Sequence, residues 1–407
     1  VASTRARLGR WRAGAALLGP AFVAAVAYVD PGNVATNTAA GARYGYMLVW
    51  VLVAANIVAG LVQYLSAKLG LVTGKSLPET VRDGLPRPAR LAYWAQAEAV
   101  AMATDLAEVL GGAIALHLLF DLPLLVGGLI TGVVSTFLLL VRDRRGQRRF
   151  EYVVTAMLVV VAVGFAAGLV FAPPSTSAVS GLVPRFAGAD SVLLAVGMLG
   201  ATVMPHAVYL HSALARDRHG HHSGAGLRRL LHATRVDVVL AMLFAGAVNL
   251  AMLLVSAGAL RGERGVDSLD GVHAAIGDHL GAGVALLFAL GLLASGLAST
   301  AVGCYSGAVV LEGLLRVRVP LLARRLVTLV PALVVLALGV DPTMGLVLSQ
   351  VVLSFGIPFA LIPLVHLTSS ERLMGANVNR TVVTVLAWLA TAAITGLNIT
   401  LIILTLV

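Results

Sequence analysis

Two short motifs, Asp30-Pro31-Gly32-Asn33 and Met204-Pro205-His206, set a carboxylate, an amide, a thioether and an imidazole beside helix-breaking prolines. Proline removes its own N–H and clashes with the carbonyl four residues earlier, which here belongs to Ala27 and Ala201. The residue before a proline is pushed out of helical geometry, and those residues are Asp30 and Met204. Gly32 lets the chain loosen further. Set face to face, the breaks would offer Asp30, Asn33, Met204 and the carbonyls of Ala27 and Ala201. One anionic oxygen, neutral oxygens and one soft sulfur suit a divalent transition ion, whereas Mg²⁺ and Ca²⁺ prefer oxygen alone. Mn²⁺, Fe²⁺, Co²⁺ and Cd²⁺ can use both kinds of donor.

These motifs lie within apolar runs long enough to span a bilayer. Hydrocarbon penalises free backbone groups and charge, so such breaks survive mainly where they line a cavity. A lone Met in a span is ordinary packing and a lone Pro a kink. A mid-span carboxylate costs on the order of 2.5–3.5 kcal/mol on insertion scales, so function is the default reading of Asp30. One break in each half of the chain is the pattern expected of a transporter with discontinuous helices.

Of 407 residues, 59% are hydrophobic and 12% charged, about half the charge of an average soluble domain. Apolar runs of about twenty residues recur from end to end, predicting an all-α polytopic membrane protein with eleven spans. These fall near 15–40, 46–69, 91–118, 123–141, 152–171, 190–214, 236–258, 281–311, 323–340, 343–367 and 382–406. Of the 29 Lys and Arg, all but Arg43, Arg185, Arg261 and Arg264 then lie on the side of the N-terminal tail, with its Arg5, Arg7, Arg10 and Arg12. The positive-inside rule makes that side cytoplasmic and the C-terminus extracytoplasmic. The charge of +10 therefore does not indicate nucleic acid. The single cysteine, Cys304, reads as an inert buried thiol. The segments 172–189 and 259–280, the latter with Glu263, Asp267, Asp270 and Asp278, read as solvated outer loops. The His219-Gly220-His221-His222 run reads as a mobile polar loop.

Together the two motifs resemble the hallmarks of the Nramp (natural resistance-associated macrophage protein) family. The likeness covers essentially the whole chain, and the Met sets it apart from related magnesium and aluminium carriers. The resemblance implies a bacterial, proton-coupled manganese type of transporter in the plasma membrane. It implies one domain of LeuT type: a cytoplasmic tail (1–14), two inverted repeats (15–171 and 190–367, spans 1–5 and 6–10) and an extra span (382–406), with spans 1 and 6 broken. Transported substrates would be Mn²⁺ and Fe²⁺, with Cd²⁺ and Co²⁺ accepted, and no cofactor or obligate protein partner is implied. By this carry-over Asp30, Asn33, Met204 and the Ala201 carbonyl hold the ion, joined in some conformations by the Ala27 carbonyl and Gln350.

The family couples metal influx to protons, and the chain offers carriers. His206 and His211 follow Met204 on one span, and histidine exchanges protons near physiological pH. Asp105 and Glu108 stand three apart, on one helix face. Arg324 and Arg325 open span 9 and could pair with them, as a relay or as a lock between helices. Asp30 is expected to lose a proton when metal arrives, since the ligand form is the carboxylate. Glu98 and Asp237, near span ends, need no special role on this reading. Gln63 and Asn398 suggest interhelical hydrogen bonds, and Gly45, Gly60, Gly291 and Gly296 close helix contacts. Three rivals remain at this stage: a Na⁺-coupled amino-acid symporter, in which Asp30 would repel the substrate carboxylate; a membrane metalloenzyme, for which no His-Glu-x-x-His run exists; and a passive channel.

Overall fold

The computed structural model describes residues 19–145, 147–220, 222–263 and 265–406. Arg5, Arg7, Arg10, Arg12, His221, Arg264 and the start of the expected first span lie outside the described residues.

Residues 20–166 form α1 (Pro20–Val26), α2 (Pro31–Tyr44), α3 (Val49–Thr73), α4 (Leu77–Gly84), α5 (Arg87–Phe120), α6 (Leu124–Arg145) and α7 (Gln147–Ala166). The remainder forms α8 (Ala189–Thr202), α9 (Pro205–His219), α10 (Gly224–Ala259), α11 (Leu269–Leu280), α12 (Ala282–Leu315), α13 (Leu321–Ala337), α14 (Pro342–Thr368) and α15 (Thr381–Leu406). Among the described residues eight helical stretches are long and apolar enough to cross a membrane, and two shorter apolar helices, Pro20–Val29 and Leu124–Leu138, accompany them. Helix α13 is shorter, carrying Arg324, Arg325 and an internal Pro331.

Large apolar side chains such as Ile57, Phe137, Leu243, Val382 and Leu406 are more than half exposed. A soluble monomer seldom carries so much contiguous apolar surface, whereas lipid solvates it. The helix bundle therefore reads as that of a multi-pass membrane protein.

Helices α5 and α12 make the most extensive pair, α2 lies along α10, α3 along α9, and α14 packs on both α8 and α5. Close approach depends on missing side chains. A Cβ on Gly296 would stand 3.0 Å from the Glu108 carbonyl, and one on Gly200 would overlap the Gln350 carbonyl. Gly60 does not share this role, because a Cβ there would meet only the Met242 side chain at 3.7 Å. The segment 259–280, expected as a solvated loop, is not an open loop throughout: Ser268 caps α11, and Asp267 pairs with Arg43 at 2.9 Å.

Asp237 also has a structural task. Its carboxylate accepts from the N–H groups of Gly19 and Ala21 at 3.0–3.2 Å. It caps the start of α1 from a helix 216 positions away, satisfying donors that a helix N-terminus leaves free.

Candidate metal site

Both proline motifs interrupt their helices. After α1 a single tight turn (Ala27–Val29) leads to Asp30, whose backbone is extended (φ −73°, ψ 170°). The Asp30 side chain caps α2, with Oδ1 accepting from the Asn33 backbone N–H at 2.7 Å and from Asn33 Nδ2 at 2.8 Å. Helix α8 ends at Thr202, and Met204, extended at φ −72° and ψ 119°, starts α9. Pro31 and Pro205 occupy first helical turns, where the missing N–H costs nothing.

The two breaks touch. Asn33 Nδ2 donates to the Ala201 carbonyl at 2.8 Å, the group that Pro205 leaves without a helical donor. Both acceptors around this nitrogen are oxygens, which settles which end of the amide faces them. The opposite end, Asn33 Oδ1, has no hydrogen-bond partner. Gln350, from α14, repeats the arrangement: Nε2 sits 3.5 Å from Asp30 Oδ2, and Oε1 has no partner. Both amide oxygens of the cluster lack a hydrogen-bond partner, and a cation would satisfy them once the amides turn to face it. Asp30, Asn33, Ala201 and Gln350 are all fully buried, so the cluster they form is shut from solvent, and Met204, three residues beyond Ala201, is fully buried as well.

The carbonyls of the first break are shared out. Tyr28 O accepts from Asn249 Nδ2 at 2.6 Å and Val29 O from Ser295 Oγ at 2.6 Å. Ala27 is buried one residue earlier. Asn249 and Ser295 were not singled out from the sequence. A lone Asn in the apolar stretch around 249 was the available signal. Thr202 was missed too, and its buried hydroxyl beside the second break lacks a partner. Among the described residues no three His, Cys, Asp or Glu side chains gather as metal ligands, so a site here draws on amide, carbonyl and thioether donors.

His206 Nδ1 is 3.3 Å from Thr104 Oγ1, and its Nε2 is unpartnered. His211 Nδ1 meets Gln63 Oε1 at 2.6 Å, and Gln63 Nε2 bonds the Tyr28 hydroxyl. This chain of three buried side chains links α9, through α3, to the first break. Arg325 pairs with Asp105 at 2.9 Å and donates to Ser135 at 3.0 Å. Glu108 is fully buried, with neither oxygen hydrogen-bonded. The expected pairing of both arginines with Asp105 and Glu108 divides instead. Arg324 takes Glu98 in a bidentate pair at 2.9 and 3.0 Å, so Glu98, set aside on the sequence, has a defined partner. Gly307 leaves the space that the Arg324 guanidinium occupies.

A family model described as natural resistance-associated macrophage protein-like matches residues 21–404. The chain belongs to the Nramp family. It is 62% identical over 391 residues to the divalent metal cation transporter MntH of Mycobacterium tuberculosis strain H37Rv, covering 96% of this chain and 91% of that one. A crystal structure of the Eremococcus coleocola manganese transporter is 31% identical, with a TM-score of 0.86 over 95% of this chain and 86% of the other. The nucleobase-cation symporter Mhp1 shares the fold at 15% identity, with a TM-score of 0.60 over 95% of this chain and 90% of that one. Nramp proteins are transporters, not enzymes.

Proposed function

We propose that this Nramp chain imports divalent transition metals, Mn²⁺ and Fe²⁺ first and Cd²⁺ and Co²⁺ as well, across a bacterial plasma membrane, driven by protons. Eleven spans, with 15–171 and 190–367 as inverted repeats and 382–406 added, would place the N-terminus in the cytoplasm and the C-terminus outside. The observation that carries this reading is the contact between the breaks, where Asn33 joins Asp30 to the Ala201 carbonyl and leaves its own oxygen free. The carboxylate supplies charge, the Ala201 carbonyl and the Asn33 amide, once turned so that its oxygen replaces the nitrogen that now faces Asp30, fill the shell, and Met204 supplies the soft donor that discriminates against Ca²⁺ and Mg²⁺. The metal is substrate here, with no resident cofactor.

Transport then requires the closed cluster to open alternately to each side, by rocking of one group of helices against another. Asp30 holds a proton until metal displaces it. His206, His211, Asp105 and Glu108 are the candidate carriers onward, with Arg325 positioning Asp105 and Arg324 locking to Glu98. The relatives named for divalent metal and manganese transport support this reading, and lipid and protons are the only other partners it needs.

Mn²⁺ uptake into proteoliposomes, with and without an inward proton gradient and with Ca²⁺ as competitor, tests it. Gradient-stimulated uptake that Ca²⁺ fails to suppress is expected. Uptake of radiolabelled amino acid instead of Mn²⁺ would overturn it.

A further inference from the structure

A cavity of about 680 Å³ lies apart from the metal site, between α3, α10 and the segment leading into α15. Its polar wall holds Tyr64, Lys68, Arg228, Arg235, Asn379 and Arg380. Four of these are cations, and among the described residues no carboxylate lines the cavity. None of the four forms an ion pair among the described residues. Arg228 and Arg235 stand seven apart on α10 and so share a face. Arg235 lies over the Tyr64 ring at 5.0 Å and donates to its hydroxyl at 3.3 Å. Lys68 is held by Asn379 Oδ1 at 2.7 Å, and Asn379 is tied in turn to Thr368 at 2.8 Å. Lys68 and Arg235 are thus pre-set by neutral partners, with their charge left over.

Collecting unpaired positive charge costs repulsion, which an anion relieves. The cavity's apolar lining indicates which anion. Leu61 and Val383 line it beside the charges, and the same three helices continue with exposed Ile57, Leu243, Val382 and Leu386. A basic cup thus opens onto a lipid-facing apolar lane. Helix α15 packs chiefly on α14 and α8, so a molecule in this cup would fasten it to α3 and α10.

We propose that the cavity binds the phosphate headgroup of an anionic phospholipid, with its acyl chains along the exposed faces of α3, α10 and α15. Basic pockets between membrane helices recognise such headgroups. The cavity shares no lining residue with the metal site and lies on the face richest in Lys and Arg.

Native mass spectrometry of the delipidated protein in non-ionic detergent tests this, titrating phosphatidylglycerol, phosphatidylcholine or sodium phosphate. Phosphatidylglycerol should bind and phosphatidylcholine should not, and millimolar phosphate should not displace it. The triple variant Arg228→Gln/Arg235→Gln/Arg380→Gln should lose about a hundredfold in affinity, since each charge near a lipid surface is worth roughly fivefold. All three residues are exposed, so the variant should fold. Arg87→Gln/Arg149→Gln/Arg372→Gln removes the same charge from exposed positions outside the cavity and should keep the affinity. Equal loss in both variants, equal retention of phosphatidylcholine, or binding of phosphate alone would each overturn the proposal.

Discussion

Asn33 reaches across 168 positions of sequence to donate to the Ala201 carbonyl at 2.8 Å. The contact joins the two interrupted helices at the point where each has lost a backbone hydrogen bond. The same side chain anchors Asp30, so one amide sets the distance between the carboxylate and the second break.

Asp30→Asn should leave the fold intact, because the new amide oxygen can still accept from the Asn33 N–H that Asp30 now accepts. It removes the only charge among the donors. Mn²⁺ uptake in proteoliposomes should fall by more than the roughly 10–100-fold that losing an outer-shell partner costs. Wild-type flux would mean that the ion binds elsewhere.

Met204 is fully buried, so replacing it by Ala would remove a donor and also open a cavity, at a cost of about 2–5 kcal/mol. Met204→Leu separates the two effects. Both variants should keep Mn²⁺ transport and lose exclusion of Ca²⁺ or Mg²⁺, read as competition for uptake. Only the Ala variant should melt earlier.

Glu98→Gln should destabilise the protein, because Arg324 is left inside with one neutral acceptor. Breaking a buried pair costs about 3–5 kcal/mol. Glu98 is 17% exposed against 6% for Arg324, so the low end applies. The double variant Glu98→Gln/Arg324→Gln should recover part of the thermal stability in detergent. Additive losses would show that the pair holds nothing together.

Gly200→Ala should lower both stability and metal affinity. The added methyl would overlap the backbone of Gln350, which cannot rotate away, at an overpacking cost of about 1–3 kcal/mol. It would also displace α14 and the Gln350 side chain from Asp30. Gly60→Ala, whose methyl would make only ordinary contact with Met242 at 3.7 Å, should be neutral in thermal melting.

What the sequence revealed was local. Pro31 and Pro205 act within one helical turn, so the breaks, the extended Asp30 and Met204, and the freed Ala201 carbonyl could all be read without a fold. Partners from distant helices could not. Glu98 and Asp237 looked like ordinary span-end acids, because Arg324 and the N–H groups of Gly19 and Ala21 lie more than 200 positions away. The hydrogen-bonded chain Tyr28–Gln63–His211 needed three helices to be placed together. Helix lengths were underread for a different reason. An apolar window measures the hydrocarbon, about 30 Å thick, while α10 begins at Gly224, twelve residues before the apolar run expected at 236. Its polar first turns carry Arg228 and Arg235, which build the basic cavity.

The central claim is that one carboxylate and one thioether grip the same dication. X-ray absorption at the cadmium edge of Cd²⁺-loaded protein addresses it directly. The account predicts a sulfur neighbour within a shell of oxygens, lost in Met204→Leu while the ion stays bound, and loss of the bound ion in Asp30→Asn. A shell of oxygen alone, or a sulfur signal unchanged in Met204→Leu, would contradict it.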